Sequence, residues 1–474
     1  MTRTSSTEST GETLAWLSGF TPGAGPRYVQ LATFIERAIA TGALRPGDRL
    51  PPQRMFADLL GVNLTTVTRG LNEAHRRHLI ESRGPLGTFV APSRVELAQL
   101  VDLSMNIPPP PADVDLEALL RDGMSQVLIR SDIDLLMTYH LGGGSKADRT
   151  AGAQWLKPVL GTVDRAKVVV CPGAQPALAA LILSATQAGD TILTEPLVYP
   201  GLPLVARQLG RRVECVATDA DGMRPDALEA ACREHGARLL YLNPTLQNPT
   251  AVTMPASRRL EIGAVAARFA VRIVEDDPYW LFAEDAPPPF ARLMPQQTYY
   301  LSTLSKCLSP GLRTAYLVLP DTQSEAPFLA SLRSLSLMST PLTTALVAQW
   351  MHDGSAARLL AGVQAEARSR QQLARRILGG AAHSGSAGST GNAGGIHVWH
   401  ALPDHWSANE LTAFARSEGL VVAPASAFHS GTQAPNAVRI SLGGCAGRAE
   451  LGAALRKLAD MLERRPPNDA AIVV

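Results

Sequence analysis

Five short runs of continuous apolar sequence, at 167–171, 239–242, 271–274, 299–302 and 315–319, constrain this chain more than any other feature. Each is too short for a helix and lacks the alternation of a half-exposed strand. Helix-length segments separate them. Runs of this kind suit strands buried on both faces of a largely parallel sheet, with helices covering each side. The alternation starts near residue 116 and continues to the end of the chain. A length of 474 residues leaves room for two or three domains, and 46% hydrophobic against 18% charged side chains excludes a disordered tail or a solvated coiled coil. No apolar run approaches the ~18 residues of a membrane span. The opening MTRTSSTESTGE has no apolar stretch of a secretory signal, so a cytoplasmic location is expected. The five cysteines (Cys171, Cys215, Cys232, Cys307 and Cys445) are scattered and form no CxxC, which argues against a disulfide framework or a zinc site. His140, His397 and His400 show no metal-ligand spacing, and no metal is assigned.

The segment before the alternation is different in kind. Residues 20–94 hold ten arginines, no lysine and five acids, a net +5, while the remaining 399 residues sum to −3. Charge concentrated in so short a segment points to a polyanionic partner. Leu31, Phe34, Ile35, Ala38 and Ile39 line one face of a helix that ends at Thr41-Gly42. A second helix from near Pro52 is expected to bury Met55, Phe56, Leu59 and Leu60 and to stop at Gly61. Asn63 caps a third, with Val67, Leu71, Ala74 and His78 inside and Thr65, Thr66, Arg69, Asn72 and Arg76 outside. Two short strands, 79–82 and 88–91, follow with 83–87 between them. Helix, helix-turn-helix and hairpin make an α+β winged helix-turn-helix. Hydroxyls, an amide and arginines on one helix face can reach base edges and phosphates in a major groove, although charge on a helix is also what a solvated face looks like.

The stretch 26–92, with GALRPGDRLPPQR and the closing GTFVA, resembles without gaps the DNA-binding domain of GntR-type transcription regulators. That resemblance implies double-stranded DNA as partner and contacts at Arg54, at Thr65 and Thr66, and in the wing near Gly87; Arg69 lies on the same outer face. Two departures stand out. Leu64 occupies a place where the family often has arginine, and Pro85-Leu86-Gly87 in the wing has no basic residue, so a shallower salt dependence is expected. The expected organisation is a flexible tail over 1–25, the winged helix over 26–92, a linker over 93–115 containing Pro108–Pro111, and an α/β domain over 116–474. Within that domain a smaller subdomain spans about 350–474, and the Gly/Ser/Ala-rich 383–395 is expected as a surface loop.

The α/β part carries the motifs with chemistry. Only five of the 44 basic side chains are lysines, and one, Lys306, ends an apolar run. Unlike arginine, a desolvated lysine can lose its proton and form a Schiff base. A lysine in such a place can also simply reach out to solvent, but Thr303, Ser305 and Arg313, all phosphate-binding types, surround this one. Asp276 in Glu275-Asp276-Asp277-Pro278-Tyr279 ends another run, where a buried carboxylate needs a cation such as a pyridinium nitrogen. Asn248 offers an amide, Tyr199 a ring to stack, and Ala174 and Gln175 the free N–H groups of a helix start.

From about residue 102 onward the order PGAQ, NPTLQNPT, EDDPY, STLSK, PGLR, VRISL resembles fold type I pyridoxal-phosphate enzymes of the aspartate aminotransferase class. The resemblance implies that Lys306 carries pyridoxal 5'-phosphate and that Asp276 pairs its ring nitrogen. Asn248 and Tyr279 then hold the phenolic oxygen, Tyr199 stacks on the ring, and Ala174, Gln175, Thr303, Ser305 and Arg313 bind the phosphate. Arg439 matches the arginine that clamps a substrate α-carboxylate, and Tyr139 a tyrosine reaching the neighbouring subunit's phosphate. Cys307 beside Lys306 reads as a small buried hydrophobe.

A winged helix ahead of an aminotransferase-like domain resembles the MocR subgroup of GntR regulators. The expected function is a homodimeric transcription regulator sensing pyridoxal phosphate, an amino compound, or both. A working aminotransferase with an accessory DNA-binding module is the alternative, and turnover discriminates the two. A winged helix serving only protein contacts fits the +5 charge least.

Overall fold

The basic segment folds around Leu31, Phe34, Ile35, Phe56, Val67, Leu71 and Ala74, all buried. Three helices, α1 (Arg27–Ala40), α2 (Gln53–Leu60) and α3 (Leu64–Arg76), precede the antiparallel pair β1 (Ile80–Ser82) and β2 (Thr88–Val90). This is a computed structural model, and it describes residues 16–17, 20, 25–44, 47–77, 79–82, 87–91, 100–379, 394–431 and 433–466. The chain divides into two units, Met1–Gln99 and Leu100–Val474. Most of the expected tail 1–25, His78, the wing residues 83–86, residues 93–99 and residues 383–393 lie outside the described residues.

Local chemistry explains the first unit. The Asn63 Oδ1 accepts from the Thr66 N–H at 2.8 Å, which closes the start of α3, and Gly61 ends α2 with φ of +61°. Gly70 lets α3 approach α1: a Cβ there would lie 2.7 Å from the Leu31 side chain. Met55 and Leu59, expected in the core, are exposed instead. A helix of eight residues buries one narrow face, and Phe56 and Ala57 occupy it.

The second unit opens with a short strand, β3 (Val101–Asp102), and continues with β4 (Val168–Cys171), β5 (Thr191–Thr194) and β6 (Arg212–Cys215). A small hairpin, β7 (Thr218–Asp219) and β8 (Gly222–Met223), comes before β9 (Leu239–Leu242), β10 (Arg272–Asp276), β11 (Thr298–Thr303) and β12 (Ala315–Val318). The main sheet has the order β4-β12-β11-β10-β9-β5-β6. Its strands are parallel except β12, which runs antiparallel to both neighbours. The C-terminal ends of β4, β9, β10 and β11 therefore share one edge with the N-terminal end of β12. Ligands of open α/β sheets bind along such an edge.

A smaller layer follows: β13 (His397–Ala401), β14 (Leu420–Val421), β15 (Ala423–Pro424) and β16 (Ala437–Ser441), with a three-stranded sheet β13-β16-β15. The helices Ser355–Leu378 and Arg448–Glu463 supply buried leucines to its core. The structure corrects the expected linker. Residues 100–115 are part of the second unit, where β3 pairs in parallel with β14 and Leu103 is fully buried among the small subdomain's side chains. Sequence rich in proline and polar residues read as a tether, but the alternation of Val101 and Leu103 is that of a strand.

Candidate functional site

Four loop starts converge on the shared edge of the main sheet. Asp276 is the last residue of β10, and its buried Oδ2 accepts from the Tyr241 hydroxyl at 2.5 Å. Its Oδ1 is buried with no hydrogen-bond partner. Burial pushes this carboxyl up to about 6, opposed by the Tyr241 hydroxyl and by Lys306. Lys306 lies in the short turn after β11, and its Nζ donates to the Asn106 carbonyl at 2.7 Å. Burial pulls the Lys306 amine down to about 8, helped by Arg439 and Arg313 and opposed by Asp276.

Asn106 ties several of these groups together. Its Nδ2 donates to the Tyr279 hydroxyl at 3.1 Å and lies 3.1 Å from the His397 Nδ1. The His397 Nε2 sits 3.3 Å from the Gln247 carbonyl, which can only accept, so the proton belongs on Nε2 and Nδ1 accepts from Asn106. Burial holds this imidazole down at about 3, and Arg439 adds to the effect. The Tyr279 oxygen accepts from Asn106, which leaves its own proton to give to another oxygen. Asn248 accepts from the Arg439 Nη1 through Oδ1 at 2.6 Å, so its NH2 is the group available to a ligand.

Arg439, in the middle of β16, is buried, stacks over Phe428 at 4.6 Å and donates through Nη2 to the Ser104 carbonyl. Its Nε is buried without a partner. The phosphate-binding types gather at the ends of β4, β11 and β12. Gly173 has φ of +106°, and a Cβ on it would fall 2.6 Å from the Arg313 guanidinium, so only glycine permits the approach. The helix Ala174–Ala185 starts there, with free N–H groups at Ala174 and Gln175. The Gln175 side chain is turned away: its Oε1 accepts from the Tyr199 hydroxyl at 2.8 Å. The Thr303 and Ser305 hydroxyls lie 3.0 Å apart. Tyr139 is not brought to this group; it is 74% exposed.

Tyr241, Asn106 and Ser104 were not singled out from the sequence, and His397 was weighed there only as a metal ligand. Tyr241 was one apolar residue in a strand, and only its hydroxyl sets it apart. Asn106 and Ser104 fall in the segment read as linker, and nothing in their local sequence marks them. Behind the site, fully buried Arg259 donates to the Pro244 carbonyl and the Thr245 hydroxyl and lies 3.7 Å from Glu275, which fixes the loop carrying Asn248.

In the first unit Arg54, Thr65 and Arg69 are exposed, and the Arg69 guanidinium lies 4.4 Å over the Tyr28 ring. The Thr66 hydroxyl is engaged with Asn63 at 2.6 Å. Gly87 has φ of +108°, and a Cβ on it would meet the Arg49 Nε at 3.0 Å. Arg49, 38 residues before Gly87, thus brings a cation to the wing.

Residues 98–458 match the aminotransferase class I and II family, and residues 27–90 match the bacterial regulatory proteins of the gntR family. The vitamin B6 salvage pathway transcriptional repressor PtsJ of Salmonella typhimurium is 30% identical over 424 residues, covering 86% of this chain and 92% of that one. The pyridoxine biosynthesis regulator PdxR of Corynebacterium glutamicum is 28% identical over 430 residues, covering 87% and 91%. The chain belongs to the MocR subgroup of GntR-type transcription regulators. Among solved structures, LysN of Thermus thermophilus, an α-aminoadipate aminotransferase, superposes on the MocR-type chain with TM-score 0.69 at 25% identity, covering 78% of this chain and 93% of LysN. An archaeal alanine:glyoxylate aminotransferase shares the fold with TM-score 0.70 at 23% identity, covering 77% and 90%. The MocR chain is a DNA-binding regulator whose aminotransferase domain binds pyridoxal 5'-phosphate. The residues at the sheet edge fit that group. The unpartnered Asp276 Oδ1 suits a ring N–H, and the amine, the phenol and the arginine by Gly173 suit an aldehyde, a phenolic oxygen and a phosphate.

Proposed function

We propose that this regulator senses pyridoxal phosphate together with an amino compound bearing a carboxylate. The observation that carries the reading is the close linkage of the cofactor residues to Arg439, which reaches Asn248 directly and lowers the basicity of Lys306. In this reading Lys306 holds the cofactor, Asp276 pairs the ring nitrogen, and Tyr279 and Asn248 meet the phenolic oxygen. Tyr199 covers the ring, while Arg313, Thr303, Ser305 and the N–H groups of Ala174 and Gln175 take the phosphate. Bound pyridoxal phosphate supplies an aldehyde that condenses with primary amines. Lys306 contributes an amine that burial brings near neutrality, Asp276 a fixed negative charge, and Arg439 the anchor for the carboxylate. Names of relatives that concern vitamin B6 salvage and pyridoxine biosynthesis support the cofactor as part of the signal.

The response is a change in DNA affinity, made through Arg54, Thr65, Thr66, Arg69 and the wing at Gly87 of two winged helices in a cytoplasmic homodimer, with Tyr139 completing the partner's phosphate site. A coupling of ~1–3 kcal/mol between ligand and DNA suffices for a usable switch. The test is DNA binding to the region upstream of the gene and its neighbours at fixed salt. It compares cofactor-free protein, protein with pyridoxal phosphate, and protein with cofactor and each of the twenty L-amino acids, with keto-acid formation scored in the same samples. Specific binding that shifts with cofactor or one amino acid, without steady turnover, is the expected result. Binding indifferent to both, beside sustained transamination, would overturn the reading in favour of an enzyme.

A further inference from the structure

The chain leading from the DNA-binding unit enters the second unit through the ligand site. The Val101 N–H donates to the Gly419 carbonyl at 2.9 Å and the Leu103 N–H to the Val421 carbonyl at 2.8 Å, while the Leu103 carbonyl accepts from the Ser441 N–H at 2.7 Å. Backbone meets backbone here. A Cβ on Gly443 would fall 1.8 Å from the Ile107 carbonyl oxygen, and one on Gly444 2.0 Å from that of Asp102. Residues 101–107 are thus a strap seated on the small subdomain.

Two carbonyls of the strap hold Arg439 and Lys306. The Ser104 carbonyl accepts from the Arg439 Nη2 and the Asn106 carbonyl from the Lys306 Nζ. A carboxylate binds a guanidinium through two parallel bonds, along the Nη1–Nη2 edge or the Nε–Nη2 edge. Both edges use Nη2. With Nη1 held by Asn248 and Nε without a partner, the edge open to an arriving carboxylate is Nε–Nη2, where it crowds the Ser104 carbonyl already on Nη2. The strap is shaped for that hold: the Asp102 Oδ1 accepts from the Ser104 N–H at 2.7 Å and from its hydroxyl at 2.6 Å, a turn that aims the carbonyl. The Asp102 carboxylate lies within Arg439's field and repels a second anion.

We propose that residues 101–106 are the element an effector's carboxylate displaces from Arg439, and that their release carries occupancy of the site to the chain leading to the DNA-binding unit. The inference rests on the amino-compound reading above. Released, six residues add roughly 20 Å of contour to the connection at ~3.3–3.6 Å each. The tether that sets how far apart two winged helices can stand is then longer with ligand than without. A neutral amine lacking a carboxylate leaves the strap in place.

Hydrogen exchange on the full-length protein loaded with pyridoxal phosphate tests this, read at the Leu103 and Ser441 amides, with the β4 amides as a control for global stability. In the ligand-free arm, Asp102→Ala speeds exchange at Leu103 by about tenfold with β4 unchanged, because the aiming turn is lost. Asp102→Asn keeps an acceptor oxygen and stays near the parent. Parent-like exchange in Asp102→Ala overturns the proposal. In the ligand arm, each of the twenty L-amino acids is added while cofactor absorbance is followed. An amino acid that shifts the absorbance and speeds exchange at Leu103, while its decarboxylated amine does not speed it, supports the strap. One that shifts the absorbance with Leu103 unchanged overturns it. If no amino acid shifts the absorbance, the amino-compound reading fails and the Asp102→Ala result alone decides whether the turn at Asp102 holds the strap.

Discussion

Lys306 stands apart among the five lysines because arginine cannot do what its position asks. Held at about 8 by burial and two arginines, its amine is a usable nucleophile well below the range of an ordinary lysine. Covalent capture of pyridoxal phosphate by cofactor-free protein should rise about tenfold per pH unit up to about pH 8 and then level off, since only the deprotonated amine reacts. A rise that continues past about pH 10, in a stopped-flow absorbance titration, would contradict the buried environment. Lys306→Ala should lose covalent capture, so that reduction with borohydride followed by denaturation leaves no cofactor on the chain. Asp276→Ala removes the partner of a buried ring cation and should weaken cofactor binding at least about tenfold in equilibrium dialysis. Lys306 and Asp276 were legible in the sequence because each is chemically odd where it sits, at the end of an apolar run, whereas Arg439 was reached only through the family resemblance. The roles of Asn106 and His397 were not legible. They are 291 residues apart, and each is an ordinary polar residue until the fold sets one ring nitrogen against one amide.

Elements were legible where the apolar run is unbroken. Four residues of unbroken Val, Leu or Tyr marked β9, and three valines with a cysteine marked β4, whereas β5 begins and ends in threonine and the edge strand β6 reads Arg-Val-Glu-Cys, exposed at its start. Such segments carry their strand character in pairing, which local sequence does not display. The third helix of the first unit was legible through its cap, and its packing supplies a prediction. Gly70→Ala sets a methyl against the Leu31 side chain and should cost roughly 1–3 kcal/mol in the DNA-binding unit, lowering the Tm of its transition in calorimetry. Asn63→Ala should cost about 1 kcal/mol by freeing the first turn of α3. In both variants cofactor binding should stay at the parent level, because neither residue lies in the second unit. Loss of cofactor with either change would mean that the first unit helps to hold the second together.

At the scale of the whole molecule the informative surface lies along residues 129–139. Ile129, Ile133, Leu135, Met137 and Tyr139 are 74%, 55%, 59%, 72% and 74% exposed, a density of apolar side chains unusual for a free surface. Beside them is a cavity of about 750 Å³ lined by Leu136, Leu141, Gly144 and Met338, and neither Lys306 nor Arg439 lines it. No helix among the described residues is long and apolar enough to cross a membrane, so a membrane-spanning helix does not account for this face. A second copy of the chain would, since a two-fold contact would set one patch against itself and bury both. Full-length protein should sediment as a dimer at micromolar concentration. Ile129→Glu with Met137→Glu places four like charges in the contact and should shift it to monomer. DNA affinity should then fall by far more than the loss of two neutral side chains explains, because a site with two half-sites would be held by one winged helix at a time. A parent that sediments as a monomer while keeping full DNA affinity would remove the dimer and, with it, the role assigned to Tyr139. Parent-like DNA binding by a monomeric double variant would place the regulation within one chain.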